Sequence, residues 1–334
     1  LGEKCSPSAI CQKGTAGAND QSKLPIVRRH LTREHRPATV RARPRVELIV
    51  ILAALVLATI LHGCIRKADE DKIGVIVTIL PQKEMVEAIG GDRIRVTVMV
   101  PPNANPHTYS PTPGQMAAVA QASIYFKVGS GVEFEIAHMD EITAQNKALR
   151  VVDCSKGIDL IEGGEHEGGK DPHIWLSPTN AKQMVRNMCD GLVEIDRENE
   201  GYYTERRDAY LSRLDQLDLE LRQLFSGKEG CSFLVYHPAW AYFARDYAIQ
   251  ELAVEEAGKR PGPTGILALV KQAKENGIRV VFVSPQFDSS SAKTIAEEIG
   301  GTVVSVDPLA ENYIENLRDV AAKLAQGLAT KTAN

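Results

Sequence analysis

From residue 73 the chain alternates two hydrophobic rhythms: short runs that are continuously apolar or alternate every second residue, and longer stretches whose apolar positions recur every three or four. The first kind predicts strands, because successive side chains of an extended chain point to opposite faces. The second predicts helices, which bring positions three and four apart onto one side. Strands are expected at 73–79 (IGVIVTI), 94–100, 123–128, 149–153, 232–236, 249–254, 279–284 and 302–306, with helices between them at, for example, 82–89, 113–122, 264–276 and 289–299. That order implies an α/β fold of two lobes, each with a roughly four-stranded parallel sheet and flanking helices.

Between the two sets of strands the pattern argues for one long rigid helix as the connection. Ser177 suits a cap, Pro178 suits the first helical position, and Ala181, Met184, Val185, Met188, Cys189, Leu192 and Ile195 then follow the three-four spacing. A second helix is expected from Tyr203 to Phe225, where Tyr203, Tyr210, Leu217 and Leu224, with Leu214 and Leu221 between them, form an apolar stripe read as core packing. The domain reading is therefore an N-terminal lobe at 73–177, a linker helix at 178–197 and a C-terminal lobe at 198–334.

The first residues follow neither rhythm. Arg28, Arg29, Arg33, Arg36, Arg41, Arg43 and Arg45 stand among small and polar residues, and Leu48 to Leu61 is then almost wholly apolar. A helix of that run spans about 21 Å at ~1.5 Å per residue, short of the ~30 Å hydrocarbon core, so it reads as a secretory segment before it reads as a membrane span. Leu61-His62-Gly63-Cys64, which ends the run, resembles a bacterial or archaeal lipobox, in which the cysteine takes a lipid; His62 departs from the small residue usual there. Residues 1–64 are accordingly read as a basic leader and signal or lipoprotein segment, with Cys64 as the lipidation site, and 65–72 as a charged tether. Whether by lipid or by apolar segment, the expectation is an extracytoplasmic protein attached to a membrane.

Composition narrows the function classes. The chain is 43% hydrophobic and 25% charged with a formal net charge of −4, a balance that excludes a disordered or polytopic membrane protein and offers no field to gather nucleic acid. Its six cysteines include no C-x-x-C pair, so neither a zinc ribbon nor a dense disulfide framework is indicated, and Cys154, Cys189 and Cys231 read as buried thiols or at most one bridge.

The chemistry concentrates at strand ends, where open α/β sheets bind ligands. His107 follows Asn105-Pro106 beyond the second strand; His173 stands in Asp171-Pro172-His173 after the Gly-rich acidic loop 162–171; His237 and Asp307, each followed by proline, directly succeed the strands at 232–236 and 302–306. Neutral imidazole and carboxylate are the donors a borderline divalent ion takes, and three histidines with one aspartate close a tetrahedron around zinc at ~2.0–2.2 Å.

Asn105-Pro106-His107-Thr108-Tyr109-Ser110-Pro111, Asp171-Pro172-His173-Ile174-Trp175-Leu176-Ser177-Pro178, Tyr236-His237-Pro238-Ala239-Trp240 and Ser305-Val306-Asp307-Pro308-Leu309 together resemble the zinc/manganese cluster of ABC-transporter solute-binding lipoproteins, over residues 73 to about 328. The resemblance implies two α/β lobes joined by a long rigid helix, with the ion held in the cleft by His107 and His173 from one lobe and His237 and Asp307 from the other. It also implies an ABC permease in the membrane as partner and a receptor that works as a monomer. Two departures stand out: the loop before the second motif holds only His166 where zinc-specific members carry many histidines, and Ser284 stands where many members are acidic. Manganese-preferring members frequently carry glutamate at the third ligand position, which here is His237. Three imidazoles favour Zn2+, with Mn2+, which prefers more oxygen donors, as the second choice.

The chain is read as a receptor and not an enzyme. Zinc hydrolases keep a coordination position open for water, whereas a fourth ligand is present here, and neither H-E-x-x-H nor G-x-S-x-G occurs. The alternative from another class is a zinc-dependent hydrolase in which the three histidines hold the metal and Asp307 serves as base. A surface adhesion role is a third class, without a repeat or an aromatic stripe in the sequence to support it.

Overall fold

The computed structural model describes residues 72–162, 169–255, 262–287 and 289–328. The leader, Cys64 and His166 lie outside the described residues. Among the described residues no helix is long and apolar enough to cross a membrane.

The first lobe runs β1 (Ile73–Val77), α1 (Leu80–Gly90), β2 (Ile94–Val98), α2 (Pro113–Gln121), β3 (Ile124–Lys127), α3 (Glu133–Gln145) and β4 (Arg150–Asp153). Its strands are all parallel in the order β2-β1-β3-β4. Val75, Val77, Ile124 and Phe126 are fully buried, as expected of a parallel sheet covered by helices on both faces. The second lobe repeats the plan with β5 (Ser232–Val235), α6 (Ala241–Asp246), β6 (Gln250–Ala253), α7 (Pro263–Glu275), β7 (Val280–Val283), α8 (Ser290–Glu298), β8 (Thr302–Ser305) and α9 (Tyr313–Gly327), in the parallel order β6-β5-β7-β8. All eight expected strands are present, trimmed by a residue or two at their ends.

Between the lobes lie α4 (Pro178–Ile195) and α5 (Glu200–Phe225). The sequence pattern assigns the connection to 178–197, and here the structure differs. The buried stripe of α4 faces the first sheet: a side-chain carbon on Gly191 would come within 2.8 Å of Val152 and 2.9 Å of Phe126. The longer α5 packs against α1 and α4 of the first lobe and α9 of the second, so it is the helix between the lobes. Its Tyr203, Tyr210, Leu214, Leu217 and Leu221 are buried as the stripe predicts, while Leu224 is 37% exposed.

One hydrophobic core continues from the first sheet through α4 and α5 to Phe233, Phe282 and Leu317 of the second lobe; a smaller cluster around Leu234, Val281 and Ile295 underlies α7 and α8. Cys154, Cys189 and Cys231 are buried free thiols, the first two within the larger core.

Candidate metal centre

Each histidine singled out in the sequence sits in a loop at the carboxyl edge of a sheet. His107 follows β2, its amide donating to Asn105 Oδ1 at 2.9 Å. His173 opens a single 3-10 turn, and its amide donates to Asp171 Oδ1 at 2.8 Å. His237 comes two residues after β5, where proline on its far side stops the strand. These loops bring the three rings together across the cleft: the His237 ring centre lies 5.1 Å from that of His107 and 5.4 Å from that of His173, both edge to face. Imidazoles bound to one tetrahedral zinc at Zn–N distances of about 2.0–2.1 Å have ring centres roughly 5 Å apart, so the separations suit an ion between them. Among the described residues no group of three or more His, Cys, Asp or Glu side chains stands in finished ligating geometry.

Behind each ring stands a carboxylate. His107 Nδ1 is 3.0 Å from Glu133 Oε1, His173 Nδ1 is 3.0 Å from Asp171 Oδ1, and His237 Nδ1 is 3.0 Å from Glu255 Oε2. An imidazole that donates its Nδ1 hydrogen to a carboxylate keeps its lone pair on Nε2, with the ring held in one orientation, the usual support for a metal-binding histidine. His237 carries this furthest. Its Nε2 is buried with no hydrogen-bond partner among the described residues. Burial pushes its pKa down to about 4, aided by the neighbouring His173 and His107 and opposed by Glu255, so the ring is neutral at physiological pH. A stranded, neutral, buried ring nitrogen costs stability unless something accepts its lone pair, and a cation does so.

Asp307 does not itself line the cavity that holds the three histidines. Its neighbours Pro308 and Leu309 line the cavity with the three histidines, and its own Oδ1 accepts hydrogen bonds from Gln286 Nε2 at 2.8 Å and the Leu309 amide at 2.9 Å. Asn316 Nδ2, from α9, donates to the Asp307 carbonyl at 2.7 Å and anchors the turn.

The remaining walls are apolar. Phe287 stacks on the His237 ring at 4.4 Å, and Pro106, Val132, Pro172 and Trp175 complete the lining. The indole of Trp175 donates to the Pro308 carbonyl at 2.8 Å, a hydrogen bond from the first lobe to the second. Trp240 does not line the cleft; it is 1% exposed and packs edge-on against Phe243. Tyr109 donates to Gln115 Oε1 at 3.0 Å, and the Tyr236 hydroxyl is buried without a partner among the described residues. His138 is half-buried against Phe134.

Sequence reasoning does not reach Glu133, Glu255, Gln286 or Phe287, which come from elements distant in the chain. Asp171 was within reach, since it stands two residues before His173 in the same motif.

A family model described as "Zinc-uptake complex component A periplasmic" matches residues 75–327. The high-affinity zinc uptake system protein ZnuA of Bacillus subtilis is 29% identical over 271 residues, covering 76% of this chain and 85% of that protein. The manganese ABC transporter substrate-binding lipoprotein PsaA of Streptococcus mitis is 26% identical over 305 residues, covering 84% of this chain and 97% of that one. A crystal structure of ZnuA superposes with a TM-score of 0.74 at 39% identity, covering 77% of this chain and 99% of the other. A match over most of the two lobes, with the three paired histidines at their cleft, places this chain in the periplasmic zinc-uptake component A family.

Proposed function

We propose that this chain is an extracytoplasmic receptor that captures Zn2+ between its lobes through His107, His173, His237 and Asp307 and delivers it to the membrane permease of an ABC importer. The observation that carries this reading is the set of three carboxylate-backed imidazoles with ring centres 5.1 and 5.4 Å apart, one of them with a stranded Nε2. Asp307 completes four donors, leaving no position for the water that a hydrolase activates, which argues for a carrier site over a catalytic one. Membership of a zinc-uptake family supports the same conclusion.

In this reading the ion enters the cleft, the imidazole lone pairs bind it, and the apolar walls exclude water around it. The packed α5 restrains the lobes to a small rocking motion. Lipid on Cys64 would keep the receptor beside its permease, and the lobes would act as a monomer. Manganese is the second reading, favoured by the similarity to the manganese-transporter lipoprotein of S. mitis; three imidazoles weigh against it because manganese prefers oxygen donors.

The test is to strip the full chain of metal and titrate zinc and manganese in competition, following Trp fluorescence and counting bound ion by elemental analysis. One tightly held zinc per chain is expected, abolished in His173→Ala and weakened about 10–100-fold in Glu255→Ala, which removes the support of His237. Zinc uptake that is absent, or indifferent to His173→Ala, would sink the proposal.

A further inference from the structure

Asp307 is engaged at one oxygen only. Its Oδ1 accepts two hydrogen bonds, from Gln286 Nε2 at 2.8 Å and from the Leu309 amide at 2.9 Å. A carboxylate oxygen offers about two lone-pair positions, so Oδ1 is saturated. Among the described residues no hydrogen bond reaches Oδ2, which keeps its lone pairs.

Gln286 itself lines the cleft beside the three histidines. Its amide has one compatible orientation, because turning it over would set Oε1 against the carboxylate, acceptor to acceptor. In the orientation it takes, Oε1 is buried with no partner among the described residues. An apolar side chain of the same size would fill the space without stranding that acceptor, so packing alone does not account for a glutamine here.

We propose that Gln286 selects the ion: by occupying Oδ1 of Asp307 it confines that carboxylate to ligation through Oδ2 alone. This rests on the receptor reading given above. Zinc closes its shell with four ligands, and one carboxylate oxygen beside three imidazoles completes it. Manganese seeks more oxygen donors in a larger shell, and two-oxygen ligation by Asp307 would add one. Gln286 withholds it. The residue is a positioning residue, acting on the ion through Asp307.

The experiment uses the full chain stripped of metal, as wild type and as Gln286→Met, which keeps the volume and loses the donor. Dissociation constants for zinc and for manganese are measured by competition, and Co2+ is added as a spectroscopic stand-in. The preference for zinc over manganese is expected to fall about tenfold or more in the variant, chiefly through tighter manganese binding. The intense visible absorption of four-coordinate cobalt is expected to weaken as the second carboxylate oxygen joins the shell. An unchanged preference with an unchanged cobalt spectrum overturns the proposal, and so does an equal loss of affinity for both metals, the signature of a structural role. Gln286→Asn, whose amide is too short to reach Oδ1, is expected to shift the preference in the same direction and keeps the test open if the methionine variant folds poorly. A wild-type chain that takes up no zinc defeats the receptor reading itself, an outcome separate from the loss of selectivity in the variant.

Discussion

Glu251, on β6, shows how a single carboxyl can serve the site at a cost to the fold. Its Oε1 accepts the amides of Ala239 at 3.1 Å and Trp240 at 3.0 Å, which pins the turn just after His237-Pro238. Desolvation raises its pKa to about 7, with the Trp240 and Ala239 amides opposing the shift and Asp171 adding to it. The folded chain therefore holds this proton up to about pH 7, whereas the unfolded chain releases it near its ordinary 4.5. Between those values the folded state binds more protons, so the contribution of Glu251 to stability is greatest below about pH 4.5 and declines as pH rises to about 7. Glu251→Gln, which can still accept both amides, is expected to be near neutral at pH 5 and to stabilise the chain at pH 8 by on the order of 2–3 kcal/mol. Urea unfolding at the two pH values checks this; equal effects at both would contradict it.

Among the elements, α4 joins local sequence to long-range packing most directly. Ser177 Oγ accepts the Asn180 amide at 3.0 Å at its start, Pro178 occupies the first turn, and Ser177 also donates to Asp246 of α6 in the second lobe. Its one interior glycine, Gly191, lets the helix lie close to β3 and β4. Ala in place of Gly gains about 0.8–1 kcal/mol of helix propensity. The added carbon would stand 2.8 Å from Val152 and 2.9 Å from Phe126, and such overpacking costs typically ~1–3 kcal/mol. Gly191→Ala is therefore expected to destabilise the chain by about 1 kcal/mol despite the better propensity, a fall of several degrees or less in the thermal midpoint. An increase in that midpoint would mean the sheet yields without strain.

For the molecule as a whole, the two lobes are held together by polar contacts that converge behind the cleft as well as by α5. Tyr242, in the second lobe, donates to the Asp171 carbonyl at 2.8 Å; Tyr313 donates to the Trp175 carbonyl at 2.6 Å; and the Trp175 indole donates to the Pro308 carbonyl at 2.8 Å. All three bonds end within two residues of a proposed ligand, so the contacts that join the lobes adjoin the candidate site. Trp175→Phe keeps an aromatic wall and removes the bond to Pro308. It is expected to weaken zinc binding about three- to tenfold, as the loss of one net hydrogen bond of ~1 kcal/mol implies. Competition titration measures this, and an affinity equal to wild type in a variant with lowered thermal stability would show that Trp175 supports the core without coupling it to the site.

Most of the architecture was legible along the chain because parallel strands buried on both faces are uniformly apolar, as in IGVIVTI, and the helices between them keep a three-four period. The three histidines and Asp307 could be proposed as ligands for a related reason: each stands beside a proline at a strand end or in the loop beyond it, where open α/β sheets carry chemistry. Periodicity says that one face of a helix is covered and not by what, so it could not tell that α4 lies on the first sheet and that α5 is the element shared by both lobes. The carboxylates behind His107 and His237, and the glutamine that holds Asp307, stand in other segments of the same lobe and meet their partners only when that lobe's strands assemble into a sheet. Residue type and local spacing thus sufficed for the fold and the candidate ligands. Ring orientation, the stranded Nε2 of His237 and the engaged oxygen of Asp307 are properties of neighbours in space, and only the folded chain assembles them.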